Sequence, residues 1–373
     1  MMKKIGTQVT MITTDEKNPR NGEGSFIRLK DGRIMYAFTQ YCSEDWTDHA
    51  SARIVAIYSS DEGRTFGEQS VLIEKREEQM NIMSVSLLRL ANGDLGIFYL
   101  EKSLRGGDII CDPIFRRSSD EGKTFGEEIR PVVNKGYNGL VNDRVTRLSS
   151  GRIIIAVGVK PPLPLGDEAL RGTVGAFYSD DDGESWVQPS EIVTSPYDDN
   201  NRLYEPGIIE LPDGRLWLYM RTAYGCQYQS FSSDGGKSWS TPVPNWRFTT
   251  PDSPMLIKHV GDVTVAIFNP VSFSCVNDRR EVWGSPKRTP FVLSVSRDGG
   301  LSLSDMSYTW RDGGYDDFVK NTYLLEDDPS NSYCYPAVIE VEGGFLVAYY
   351  HSNGSDVCLN ATKIIRVGYD EID

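Results

Sequence analysis

An eight-residue motif recurs along this chain. SSDEGRTF begins at Ser59, SSDEGKTF at Ser118, SDDDGESW at Ser179 and SSDGGKSW at Ser232, with a divergent copy, SRDGGLSL, at Ser296. Successive starts lie 59, 61, 53 and 64 residues apart. A spacing of about sixty exceeds a helical hairpin repeat and suits a small antiparallel sheet with its loops. The motif itself reads as a tight turn. Ser and Asp side chains bond nearby amides, Gly supplies positive φ, and the closing Phe or Trp plugs the space beneath. Alternating apolar and β-branched runs precede it, as in ARIVAIY before Ser59 and PFVLSV before Ser296.

A second periodic element extends the count. LKDGRIMYAF, LANGDLGIFYL, LSSGRIIIAVG, LPDGRLWLYM, HVGDVTVAIF and VEGGFLVAYY each set a glycine turn between two apolar strands, at Gly32, Gly93, Gly151, Gly214, Gly261 and Gly344. Six hairpins imply an all-β fold, a six-bladed β-propeller spanning residues 1–373 as one domain. Radial repetition protects the sheet edges in such a ring. The strand-like ends GTQVTMITT and TKIIRVGY are expected to pair and close it.

Composition narrows the partners. A formal net charge of −14 argues against nucleic acid or an anionic membrane surface as a partner, while a local basic pocket can still hold an anion. Cys42, Cys111, Cys226, Cys275, Cys334 and Cys358 lack metal-ligand spacing, and MMKKIG lacks the apolar stretch of a signal peptide, so free thiols and a cytoplasmic location are expected. His49, His259 and His351 are dispersed and no glycine-rich phosphate loop occurs, so no metal or other cofactor is expected.

Propellers bind at the axis, where the innermost strands converge. Counting nine residues back from each hairpin glycine gives Glu23, Ser84, Asn142, Glu205, Asp252 and Tyr335. These polar residues precede apolar strands that do not need them, and in this register they face one another across the channel mouth.

At this level the chain resembles the sialidases. Its repeated turn is similar to their Asp box, Ser-x-Asp-x-Gly-x-Thr-Trp, and three longer stretches resemble their catalytic blades. In YEPGIIELPDGRLWLYMR the resemblance makes Glu205 the catalytic glutamate and Arg221 one arginine of a carboxylate clamp. In RTPFVLSVSRDGG, Arg288 lies eight residues before Ser296, as the third clamp arginine does in that family. In YPAVIEVEGGFLVAYY, Tyr335 takes the place of the nucleophilic tyrosine, and Asp48, eleven residues before Ser59, that of the acid/base aspartate. The chemistry is coherent. An acidic sugar with a carboxylate on its anomeric carbon is held by arginines and repels a carboxylate nucleophile, whereas a neutral tyrosine activated by a glutamate does not. Asp48 would then be protonated near neutral pH, through a raised pKa, to serve the leaving oxygen.

The first blade departs from the family pattern, with PRNGEGSFIRLKDG where an Arg-Ile-Pro is usual. Arg20 is the candidate for the first clamp arginine and Arg28 its competitor. Glu23 either pairs with Arg20 or contacts a substrate hydroxyl. Asp45 and Glu44 compete with Asp48, Tyr333 with Tyr335, and Arg279, Arg280 and Lys287 with Arg288. Trp46 and His49 either shape the pocket or pack. Asn81, in NIMSVSLLRL, shares the register of Arg20, twelve residues before its glycine. Asn142, Asp143 and Arg144 stand together in VNDRVTRL. The pattern RNxEG, NxMSVSLLRL, NDR and YEPG resembles a bacterial branch of sialidase-like proteins, and these polar residues are expected to recognise substrate. The resemblance implies retaining exo-hydrolysis of a terminal sialic acid or related acidic carbohydrate. The alternatives are hydrolysis or elimination on a uronic acid, or a noncatalytic glycan-binding propeller.

Overall fold

The computed structural model describes residues 2–165, 172–196, 203–271, 288–307, 314–354 and 359–373, with the backbone alone for 314–316. Six antiparallel sheets form a six-bladed propeller. Their innermost strands are Asn21–Arg28, Asn81–Arg89, Thr146–Arg147, Tyr204–Glu210, Leu256–Val260 and Tyr333–Val341, for blades one to six. Blade six takes its outermost strand, Thr7–Ile12, from the N-terminal end, antiparallel to Ala361–Gly368. The expected closure of the ring is therefore present, and it pairs what would otherwise be an exposed sheet edge.

The apolar residues of each sheet face its neighbours, so the core is divided rather than central. Six clusters fill the six junctions, one per pair of adjacent blades. Leu346 and Phe26 meet between blades six and one, for example, and Trp217 and Phe268 between blades four and five.

Each Asp box is a closed hydrogen-bond unit on the face opposite the starts of the inner strands. Ser59 Oγ donates to Asp61 at 2.8 Å and accepts from Gly63 N at 2.9 Å. Asp61 also accepts from Thr65 N at 2.9 Å and Thr65 Oγ1 at 2.6 Å. These bonds, led by those from Thr65, hold the Asp61 carboxyl down at about 2. The same network recurs at Ser118, Ser179 and Ser232. The divergent copy keeps it too: Ser302 replaces Thr and buried Leu303 replaces the aromatic plug.

The inner strands carry the feature that builds the mouth. Glu23, Ser84, Asp143, Glu205, Asp252 and Tyr335, one per blade, have φ of 52°, 63°, 55°, 44°, 61° and 52°. Left-handed backbone at non-glycine residues is uncommon and marks an imposed local geometry. In blades one, two, four and six it coincides with a bulge. Gly22 pairs with Thr39 and Ser25 with Ala37, for instance, leaving two residues opposite one. A bulge re-aims a side chain and frees backbone groups. The glycine register found this ring at five of six positions, but in blade three the left-handed residue is Asp143, not Asn142, because that inner strand shrinks to Thr146–Arg147. In blade six the turn glycine is Gly343, with φ 73°, while Gly344 already begins the next strand.

Candidate active site

Tyr335 and Glu205, brought together from blades six and four by their bulges, form the centre of the mouth. Tyr335 Oη donates to Glu205 Oε1 at 2.5 Å, and Arg221 Nη1 donates to Glu205 Oε2 at 2.6 Å. Arg221 Nε continues to Asp252 Oδ1 at 2.9 Å, and Asp252 accepts in turn from Tyr204 Oη. Burial pushes the Tyr335 phenol well above its usual range, and the Glu205 charge adds to this, so the hydroxyl is neutral. Burial opposes ionisation of Glu205. The charge of Arg221 and the hydrogen bonds from Arg221 and Tyr335 outweigh it and hold the carboxyl below its ordinary value. A neutral hydroxyl thus points its proton at an ionised acceptor.

Arg20 lies on the blade-one side of the mouth, almost fully buried. Its Nη1 donates to Asp48 at 2.6 Å, its Nη2 to Glu23 at 2.7 Å and its Nε to Tyr350 Oη at 2.9 Å. Arg28, at the other end of the strand, chelates Glu62 on the opposite face. Asp48 is therefore the carboxylate of its loop that meets Arg20, whereas Asp45 caps Thr47. The expected raised pKa of Asp48 is contradicted. Burial favours the acid, but the charges of Arg20 and Lys102 and the Arg20 hydrogen bond hold the group well below the usual carboxylate range. The raised carboxyl is Glu23, where burial prevails over Arg20. Gly22 is required beside it, since a Cβ there would sit 2.1 Å from the Tyr350 ring that braces Arg20.

Arg288 is buried near the same centre. Its Nη1 donates to Cys334 Sγ at 3.1 Å, and its charge acts on Tyr335. Arg279, Arg280 and Lys287 lie outside the described residues, as do Cys275 and Cys358. Tyr333 packs against Phe291 and Tyr349 and does not join Glu205.

The remaining expected contacts serve the protein's own backbone. Asn81 Nδ2 donates to the carbonyls of Asp48 and Ala50, both at 2.9 Å. Asn142 Nδ2 reaches Gly24 O at 2.9 Å, and Arg144 reaches Glu205 O at 2.6 Å and Met255 O at 2.5 Å. Asp143 accepts from Ser25, Lys258 and Val338 N. Asn142 and Arg144 satisfy carbonyls at the bulges of blades one and four, Asp143 holds an amide and two side chains of neighbouring blades, and Asn81 ties down the loop that carries Asp48. Sequence reasoning missed Tyr350 and Lys102 and left Asp252 outside the site, although Asp252 was already in the glycine register.

The BNR repeat-like domain family matches residues 55–348. Anhydrosialidase from Macrobdella decora is 30% identical over 257 residues, 64% of this chain and 29% of that protein. The chain thus spans under a third of that relative's length. Among solved structures, a protein of unknown function from Dyadobacter fermentans superposes with a TM-score of 0.69 at 17% identity, over 97% of this chain and 99% of its own. The intramolecular trans-sialidase from Ruminococcus gnavus superposes with a TM-score of 0.67 at 15% identity, over 98% of each chain. Likeness at these identities is likeness of fold.

Proposed function

The chain belongs to the BNR repeat-like family as a sialidase-like Asp-box propeller, and from that premise we propose that it is a retaining exo-glycosidase for a terminal sialic acid or related acidic sugar. One observation carries the reading: the Tyr335 hydroxyl is bonded at 2.5 Å to a Glu205 carboxylate that Arg221 keeps ionised. In this mechanism Tyr335 Oη attacks the anomeric carbon while Glu205 takes its proton and the bond to the leaving oxygen breaks. Asp48 protonates the leaving group. In the second half, Asp48 takes a proton from water, which attacks the same carbon as its bond to Tyr335 Oη breaks, and Glu205 returns the proton to the departing Tyr335 oxygen.

The clamp assigned to Arg20, Arg221 and Arg288 supplies charge-assisted bonds to the sugar carboxylate. Arg20 enters this role already paired with Asp48. An incoming carboxylate competes for that guanidinium and releases Asp48, whose side chain is 57% exposed at the mouth, to take up the proton it must deliver. Acidity of the substrate is thereby coupled to arming of the acid.

The test is turnover of fluorogenic glycosides of sialic and uronic acids. Sialoside turnover that falls by at least about 10³-fold in Tyr335→Phe, with the melting temperature kept, is the expected result. No turnover of any acidic glycoside by the wild type would leave a binding propeller instead.

A further inference from the structure

Asp48 stands on an open loop at the mouth, residues 42–51, between the second and third strands of blade one, Ile34–Tyr41 and Ala52–Ser59. Its carboxylate is tethered by Arg20, which also donates to Trp46 O at 3.3 Å. In the proposed mechanism a substrate carboxylate draws Arg20 away from Asp48. An acid works only within hydrogen-bond reach of the oxygen it protonates, and a misplacement of about 1 Å can cost on the order of 10²-fold in rate. A second support must hold the loop at that moment.

Blade two provides one. Its second and third strands, Leu95–Arg105 and Asp108–Ser118, run to 11 residues each, and the short strand Leu163–Pro164 pairs with their tip. On this raised hairpin Lys102 lies directly opposite Asn81 of the inner strand. Opposite residues of an antiparallel pair present their side chains on one face. Here both reach the Asp48 loop. Asp48 O accepts from Lys102 Nζ at 2.7 Å and from Asn81 Nδ2 at 2.9 Å, and Asn81 Nδ2 also donates to Ala50 O at 2.9 Å. Among the described residues, these are the hydrogen bonds that bring another blade to the loop. Asn81 and Lys102 are almost fully buried, whereas the Asp48 side chain is 57% exposed. An ammonium is costly to bury, and a neutral donor would satisfy a carbonyl. The charge of Lys102 has a further use, because it acts on the Asp48 and Glu23 carboxylates.

We propose that Asn81 and Lys102 are positioning residues for the acid, a cradle that holds the Asp48 main chain so that its carboxyl stays aimed at the leaving oxygen after Arg20 has turned to the substrate. The proposal rests on the reading of Asp48 as the acid/base and adds the pair on which its placement depends.

Two variants test it. Lys102→Met removes the charge and its bond to Asp48 O at nearly constant volume, and Asn81→Ala removes the bonds to Asp48 O and Ala50 O without a change of charge. Amide exchange read by mass spectrometry is expected to quicken by at least about threefold over residues 43–50 in both, with the other blades unchanged. The catalytic readout is kcat/KM for methyl and 4-nitrophenyl glycosides of N-acetylneuraminic acid or of glucuronic acid, whichever the wild type turns over. A methoxide leaving group needs the acid, and 4-nitrophenolate hardly does. A loss of at least about 30-fold on the methyl glycoside, against about threefold or less on the 4-nitrophenyl glycoside, is expected. Asn81→Ala decides alone if Lys102→Met does not fold. Equal losses on the two glycosides, as a purely structural role would give, or loop exchange as in the wild type, would overturn the proposal. Absence of wild-type turnover on any of these glycosides would overturn the acid role together with the function proposed above, whereas unaltered loop exchange overturns the cradle alone.

Discussion

The Tyr335, Glu205, Arg221, Asp252 and Tyr204 side chains form one hydrogen-bonded line across blades six, four and five, and the state of each residue follows from the next. Asp48 shows how far a single side chain depends on its partner. Its unliganded carboxyl titrates below the usual range because Arg20 and Lys102 outweigh burial. Once a substrate carboxylate engages Arg20, the charge and hydrogen bond that hold Asp48 low are shared with the ligand and the pKa rises. Between the two values binding must take up a proton, while below the free value and above the bound value it takes up none. Calorimetric titration of Tyr335→Phe with an acidic sugar in buffers of differing ionisation enthalpy is expected to show net proton uptake that grows as the pH falls from neutrality into the acidic range. Asp48→Asn should abolish it.

At the scale of the element, the fourth position of the Asp box has a task that its consensus does not reveal. Glu121 chelates Arg89 of its own blade at 2.6 and 2.9 Å and accepts Lys30 N of blade one at 2.8 Å, stapling neighbouring turns. Asp182 repeats this with Arg147 and Ala91 N, and Glu62 with Arg28 and Glu342 N. Glu121→Gln is expected to lower stability by about 1–2 kcal/mol in denaturant titration. KM should not change, since the staple lies on the face opposite the mouth. The repeat made this level legible: glycine spacing located Glu23, Ser84, Glu205 and Asp252, and it reached Tyr335 as well although blade six turns at Gly343 rather than Gly344. It failed by one residue where blade three shortens its inner strand. It had no purchase on Lys102, which stands on a blade-two extension without counterparts in the other blades. Spacing also could not show that Asn81, Asn142, Asp143 and Arg144 hydrogen-bond to groups of the chain itself.

The whole molecule is a ring closed by hydrogen bonds between its two ends. Thr7–Ile12 pairs with Ala361–Gly368, and blade six supplies both Tyr335 and the Tyr350 that braces Arg20. Removing residues 2–12 bares a sheet edge and uncovers part of the junction between blades six and one, where Val9 and Ile12 pack. The truncated chain is expected to melt several degrees lower and to lose activity together with stability, followed by circular dichroism and by turnover. The central claim, that this ring assembles a tyrosine nucleophile, is tested most directly by covalent trapping with a fluorinated sialosyl fluoride and mass spectrometry of the digested protein. The account predicts a glycosyl adduct on the peptide containing Tyr335, absent from Tyr335→Phe. An adduct on another residue, or sialoside turnover undiminished in Tyr335→Phe, would contradict it.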